Sequence, residues 1–99
     1  MTARRKQADN NVFLALGHSA LEAENLRVRA DLMIELIRII RGRKLTQTAA
    51  AKLFAVSQPR MSDLMTGKIG RFSIDALVEM LTRAGRRVEF ATKAARRVA

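Results

Sequence analysis

Apolar side chains in the first half of the chain recur every three or four residues, the spacing of one face of an α-helix. Ser19 and Glu22 precede this pattern as a capping box, in which each side chain bonds the backbone amide of the other residue. Gly42 is a natural stop. Only about two and a half heptads are present, so a core helix fits better than a coiled coil. The predicted apolar stripe is Leu26, Ala30, Met33, Ile37 and Ile40, widened by Ile34 and Leu36.

Two shorter helical patterns follow, separated by a break of a few residues. Thr46 is the candidate N-cap of the first and Ser57 of the second, while Gly67 suits the left-handed position after the second. We therefore predict helices from Thr46 to Phe54 and from Ser57 to Thr66. Their apolar residues are Ala49, Ala50, Leu53 and Phe54 in the first helix, and Met61, Leu64 and Met65 in the second.

Pro59 lies at the beginning of the second short helix. Its ring fixes φ near the helical value, and the amide hydrogen that it lacks would have no partner in a first turn. Proline also biases the residue before it away from the α region, so either Ser57 or Gln58 caps this helix. Pro59 therefore marks a helix start.

Beyond residue 72 the pattern changes from helical to alternating. Ser73 caps a fourth helix that ends at Gly85, and its apolar residues are Ile74, Leu77, Met80 or Leu81, and Ala84. Residues 87 to 93 then alternate, with Val88 and Phe90 on one face, which is typical of a β-strand. A lone strand needs a partner, so we expect residues 88 to 92 to pair with residues 12 to 16 or with their counterpart in a second chain.

These patterns predict a mainly α fold: a compact four- to five-helix bundle with a helix-turn-helix and a short C-terminal β-strand paired across a dimer. The predicted domain spans residues 12 to 93, between a flexible basic arm, residues 1 to 11, and a basic tail, residues 94 to 99. A chain of 99 residues suits a single domain. Such a domain buries only about 60 to 65% of its unfolded surface, so dimerisation would add stability.

Composition narrows the function. Nineteen Lys and Arg against nine Asp and Glu give a formal charge of +10, which favours a polyanion such as nucleic acid, although the charge is spread along the chain. Cysteine is absent and His18 is the single histidine, so neither a disulfide framework nor a Cys/His zinc site is expected, and no cofactor. Without an apolar run near the roughly 20 residues of a membrane span, we expect a cytoplasmic protein.

Catalysis has little support in the sequence. The chain has no cysteine nucleophile and no glycine-rich phosphate loop, and it offers one histidine as a base. Its carboxylate pairs, Glu22 with Glu24 and Asp31 with Glu35, are spaced as on solvated helix faces. We do not expect an enzyme.

Two short capped helices joined by a tight break form the arrangement that places a second helix in the DNA major groove. The run Ser57-Gln58-Pro59-Arg60 is followed by Ser62-Asp63-Leu64 and Gly67-Lys68, and Leu45-Thr46-Gln47 opens the preceding helix. These pieces, at this spacing, resemble the phage-repressor-like (XRE) helix-turn-helix family, in the branch of the HigA-type antitoxins. The resemblance covers most of residues 11 to 92. Ala55 departs from it, because glycine usually fills this turn position, so alanine must adopt a positive φ or shift the turn.

The resemblance implies a homodimer that binds double-stranded operator DNA, represses its own operon and neutralises a RelE-like ribonuclease toxin. A stand-alone transcription factor without a toxin partner is the alternative, and an adaptor that merely keeps the fold is a third reading. The resemblance further implies that Gln47 contacts phosphate, that Lys68 reaches the flanking backbone, and that the groove faces Gln58, Arg60, Ser62 and Asp63. Thr46, Ser57 and Pro59 complete the expected DNA-binding set.

The side-chain chemistry is consistent with these roles. Glutamine pairs with adenine and arginine with guanine in bidentate fashion, which suits Gln58 and Arg60. Asp63 either accepts a hydrogen bond from cytosine or restrains Arg60 through a salt bridge. For a toxin, which is usually basic, the expected contact surface is Glu22 and Glu24 together with Asp9 and residues 12 to 16.

Overall fold

The structure is a computed structural model that describes residues 10 to 94. It is mainly helical, as predicted, and none of the described helices is long and apolar enough to cross a membrane. In chain order the elements are α1 (Asn10–Ala15), α2 (Ala20–Gly42), α3 (Gln47–Phe54), α4 (Gln58–Met65), a 3-10 turn (Ile69–Arg71) and α5 (Ile74–Arg83).

Serine or threonine is the N-cap of each of the four longer helices, at the predicted positions. The Oγ of Ser19 accepts from the amide of Glu22 at 3.2 Å, and the Ser19 amide donates to Glu22 Oε1 at 3.0 Å, which completes the capping box. These hydrogen bonds from Ser19 lower the pKa of Glu22. The remaining caps are Thr46 for α3, Ser57 for α4 and Ser73 for α5.

Each helix is followed by a residue with positive φ, at positions 17, 44, 55, 67 and 85. The next amide in the chain then bonds a carbonyl five residues back, as in Lys68 to Asp63 at 3.0 Å, so the last turn is closed by backbone groups alone. The predicted stop at Gly42 is confirmed, although Gly42 does not take the left-handed position after α2. It is the last helical residue, and Lys44 takes the left-handed conformation with φ 53°.

The core lies between the C-terminal half of α2 and helices α3, α4 and α5. Leu36, in the C-terminal half of α2, is fully buried, whereas Ala30, Ile34 and Ile37 of the predicted stripe are half-buried. On α5 both Met80 and Leu81 are buried. The largest side chains in this core are Phe54, Phe72, Leu36, Met61, Leu64 and Leu77.

Helix α1 packs against the first half of α2, away from this core. Phe13 and Leu14 are half-buried there, and the Phe13 ring meets His18 edge to face at 6.3 Å between centroids. Val12 and Leu16 remain exposed, and so does Leu21 at the start of α2. Residues 12 to 15 therefore lie in a short helix that begins at Asn10, and they form no strand with which residues 88 to 92 could pair. The basic residues Arg4, Arg5 and Lys6 of the arm lie outside the described residues.

The predicted C-terminal strand is not found: residues 10 to 94 contain no β-strand. Residues 86 to 94 follow α5 as exposed backbone without regular structure, with Phe90 89% exposed. The alternation of Val88 and Phe90 predicts a strand from local pattern alone, but a strand needs a neighbouring strand to bond, and residues 10 to 94 of one chain contain none. The basic residues Arg96 and Arg97 of the tail lie outside the described residues.

The backbone at Ala55 provides a stability test. Ala55 has φ 56° and ψ 46°, a conformation that costs a residue with a Cβ about 1 to 2 kcal/mol. Ala55→Gly should therefore raise the free energy of unfolding by about 0.5 to 1 kcal/mol, after the greater entropy of unfolded glycine is subtracted. The measurement is urea unfolding followed by circular dichroism. The control is Ala49→Gly, at an exposed position inside α3, which should lower the same quantity by about 0.5 to 1 kcal/mol. Equal destabilisation by both variants would contradict a strained turn.

Candidate nucleic-acid interface

The connection between α3 and α4 consists of Ala55, Val56 and Ser57. Ala55 adopts the left-handed conformation itself, so the turn accepts alanine at the usual glycine position without shifting. The Val56 amide donates to the Ala51 carbonyl at 3.0 Å and closes the end of α3. The chain can thus leave one helix and begin the next within three residues.

Ser57 caps α4, because its Oγ accepts from the amide of Arg60 at 3.2 Å. This resolves the choice between Ser57 and Gln58: Gln58 is the first residue of the helix and Pro59 is the second. The proline occupies a first-turn position where no intrahelical hydrogen bond is lost. Gln58 therefore extends from the beginning of α4.

A hydrogen bond joins the first turns of the two helices. The Nε2 of Gln58 donates to the Thr48 Oγ1 at 3.0 Å, and both residues are exposed. Gln47 is exposed beside Thr48 in the first turn of α3. The Thr46 hydroxyl caps the same turn by accepting from the Ala49 amide at 3.1 Å. The hydrogen bond thus brings exposed polar side chains of α3 and α4 together at the start of both helices.

The outer face of α4 is small and polar. Met61 and Leu64 point into the core, whereas Pro59, Ser62 and Thr66 are exposed. The Thr66 hydroxyl donates to the Ser62 carbonyl at 2.8 Å, so it is directed back along the helix. This face therefore has no bulky side chain that would hold α4 away from a groove.

Arg60 is turned toward the loop after α4. Its guanidinium carbon lies 4.0 Å from the centre of the Phe72 ring, and Nη1 donates to the Arg71 carbonyl at 2.6 Å. Stacking of this kind contributes about 0.5 to 2 kcal/mol. Arg60 thereby fastens α4 to the loop that leads to α5. Its reading of a base remains a prediction, and it requires the guanidinium to leave this stack.

Asp63 is tied to two cations and does not contact Arg60. Its Oδ2 accepts from Arg71 Nη1 at 3.2 Å, and its Oδ1 lies 3.5 Å from Lys68 Nζ. The carboxylate side chain is 17% exposed, whereas the side chains of Lys68 and Arg71 are 51% and 62% exposed. The predicted salt bridge between Asp63 and Arg60 is therefore not found, and acceptance of a hydrogen bond from cytosine by Asp63 remains a prediction.

Further arginines hold backbone carbonyls. Arg29 of α2 donates through Nη1 to the carbonyls of Phe72 at 3.2 Å and Ile69 at 3.4 Å. Arg43 donates to the carbonyl of Ala84 at 2.7 Å and ties the end of α2 to the end of α5. Part of the positive charge of the chain therefore stabilises loops.

The segment that contains α3 and α4 nevertheless carries a large positive charge. Residues 41 to 71 contain one carboxylate, Asp63, and seven basic residues, which are Arg41, Arg43, Lys44, Lys52, Arg60, Lys68 and Arg71. Lys44 and Lys52 are exposed, as are Lys68 and Arg71. Such a surface attracts the phosphate backbone of nucleic acid.

Sequence analysis missed three residues that shape this surface, which are the exposed Thr48 and Arg71 and the buried Phe72. A basic residue immediately before an aromatic one, in a loop following the second helix, was the available signal. The partners of Arg71 and Phe72 lie 8 and 12 positions away, beyond the reach of helical spacing.

Comparison with known proteins agrees with this geometry. No curated protein matches the chain. A family model described as a helix-turn-helix domain matches residues 17 to 93, which include all of α2 to α5. The matched region contains the α3 and α4 pair with its tight turn, the part of such domains that places a helix against DNA. The chain belongs to this helix-turn-helix domain family.

Proposed function

We propose that the protein is a sequence-specific transcriptional repressor that places α4 in the major groove of operator DNA. The carrying observation is the pair of short helices joined by the hydrogen bond between Gln58 and Thr48, with a small polar outer face on α4. An α-helix with its side chains is about 10 to 12 Å across, which matches the major groove of about 12 Å, and the eight residues of α4 extend about 12 Å along their axis. Helix α3 would cross the backbone above it.

The roles of individual side chains follow from where each one lies. Gln58 presents an amide at the entrance of α4, where it suits the edge of an adenine. Ser62 lies one turn further along the same helix and has the size to approach a base closely. Gln47, at the exposed start of α3, would donate to a phosphate, aided by the helix dipole.

We further propose that two chains bind one operator. A single α4 covers only a few base pairs, and helix-turn-helix dimers read two half-sites about 34 to 36 Å apart. The exposed segment after α5 is the proposed dimer contact. Pairing with the same segment of a second chain would bury Phe90 and Val88 and would bond backbone groups that now face solvent.

The proposed repressor also serves as the antitoxin of a RelE-like ribonuclease. In support, Val12, Leu16 and Leu21 form an exposed apolar surface on α1 and the start of α2, with side chains 55%, 70% and 82% exposed. Glu22 and Glu24 lie beside it, in a stretch of α2 with no basic residue before Arg27, which pairs with Glu24 at 2.6 Å. An apolar surface bordered by carboxylates suits a basic partner protein. Asp9, also expected in this surface, lies outside the described residues.

DNA reading by Gln58 can be tested with two variants. Gln58→Ala should weaken operator binding by about 1 to 3 kcal/mol and relax preference at one base pair, while binding to random DNA stays unchanged. Thr48→Ala removes only the hydrogen bond that orients Gln58, so its loss should be smaller. The measurement is fluorescence anisotropy with the operator and with every single-base variant of it. Equal weakening on operator and random DNA would remove Gln58 from base recognition.

The antitoxin role can be tested on the apolar surface. If a basic protein is encoded beside this gene, Leu21→Arg should abolish its binding, because the change places a cation where that protein would meet apolar and acidic side chains. Operator binding should stay within about twofold, since Leu21 lies outside α3 and α4. The measurement is co-purification of the two proteins. Leu53→Met, at a half-buried position of α3, is the control for folding. Absence of any such partner, or binding that survives Leu21→Arg, would favour the stand-alone repressor.

A further inference from the structure

In the free protein, the cationic side chains of Lys68 and Arg71, which follow α4, are already paired with a carboxylate. Asp63 lies 3.5 Å from the ammonium of Lys68 and accepts a hydrogen bond from the guanidinium of Arg71 at 3.2 Å. Lys68 and Arg71 are the exposed members of this cluster, and Asp63 is the more buried one. A carboxylate held between two exposed cations has the charge and the acceptor geometry that a phosphate would offer to them.

We propose that Asp63 takes the place of a DNA phosphate in the free protein. Lys68 and Arg71 must then break their ion pairs with Asp63 before they contact the DNA backbone. This rests on the proposed DNA binding and adds Arg71 to the residues that contact phosphate. Asp63 then reads no base. It lowers the affinity for every DNA sequence, because each complex must break the same two ion pairs.

The arrangement of the loop supports this assignment. The backbone of residues 69 to 72 is held by Arg29 and Arg60, which bond the carbonyls of Ile69, Arg71 and Phe72. Arg71 is therefore fixed at its backbone while its side chain remains 62% exposed. The side chain can exchange a carboxylate for a phosphate without any movement of the loop.

The position of this cluster relative to α4 also supports the assignment. Asp63 follows Ser62 on α4, and Lys68 follows the left-handed Gly67 that ends the helix. The cluster thus lies beside the outer face of α4, at the far end from Gln58. A helix in the groove brings such flanking cations to the phosphates on either side.

The test is Asp63→Asn, which keeps the size of the side chain and removes its charge. Affinity should rise by about two- to thirtyfold, the range expected for the release of two exposed ion pairs, and equally on operator and random DNA. Glu79→Gln on α5 is the matched control, because it also removes one carboxylate that pairs with an arginine, Arg83 at 3.5 Å. It should raise affinity by less than about twofold. Anisotropy titrations at one fixed salt concentration give both values.

A thermodynamic cycle shows whether the gain in DNA affinity from Asp63→Asn depends on Lys68 and Arg71. In a Lys68→Ala and Arg71→Ala background, Asp63→Asn should gain no more than the Glu79→Gln control does. A gain that persists in this background would overturn the proposal, because it would show general repulsion of DNA. If Asp63→Asn lowers affinity for the operator alone, Asp63 accepts a hydrogen bond from a base. If Asp63→Asn leaves affinity unchanged, its ion pairs with Lys68 and Arg71 have no effect on binding. Either result would overturn the proposal. If the wild-type chain binds no DNA at all, the proposed function itself fails.

Discussion

The turn at Ala55 is the constraint on which the rest of the molecule depends. A left-handed residue there changes the direction of the chain within three positions and brings the first turn of α4 beside the first turn of α3. This permits the hydrogen bond between Gln58 and Thr48, and it lets Phe54 and Met61 enter the same core. The backbone strain of an alanine at this position is offset by that burial, since Phe54 and Met61 are almost completely removed from solvent. A change in the turn would therefore alter the DNA-facing surface and the core together.

Arginine has two distinct uses in this protein, and net charge does not distinguish them. Arg29, Arg43 and Arg60 donate to backbone carbonyls of distant segments and act as braces between helices and loops. Arg71 and Lys68 are exposed and can reach a polyanion. A guanidinium serves both purposes because it carries several donors in one plane and keeps its charge. The formal charge of +10 therefore overstates the charge that is available to DNA.

Sequence reasoning succeeded where the determining interactions are local. The caps at Ser19, Thr46, Ser57 and Ser73 each depend on a hydrogen bond across three residues, so a short motif suffices to predict them. It failed where partners are distant in sequence. The stack of Arg60 on Phe72 depends on tertiary packing, and hydrophobic periodicity carries no information about it. The C-terminal strand was predicted from local alternation, but strand formation is a property of a pair of segments.

The central claim, that the outer face of α4 enters the major groove, is tested most directly by a quantitative footprint on the promoter of the gene itself. The account predicts two protected half-sites about one helical turn apart for the wild-type protein. It also predicts that Ser62→Glu removes the protection, because it places a carboxylate against the groove, while the thermal unfolding curve stays unchanged at this exposed position. Protection that persists with Ser62→Glu would contradict the claim and would place DNA on another surface.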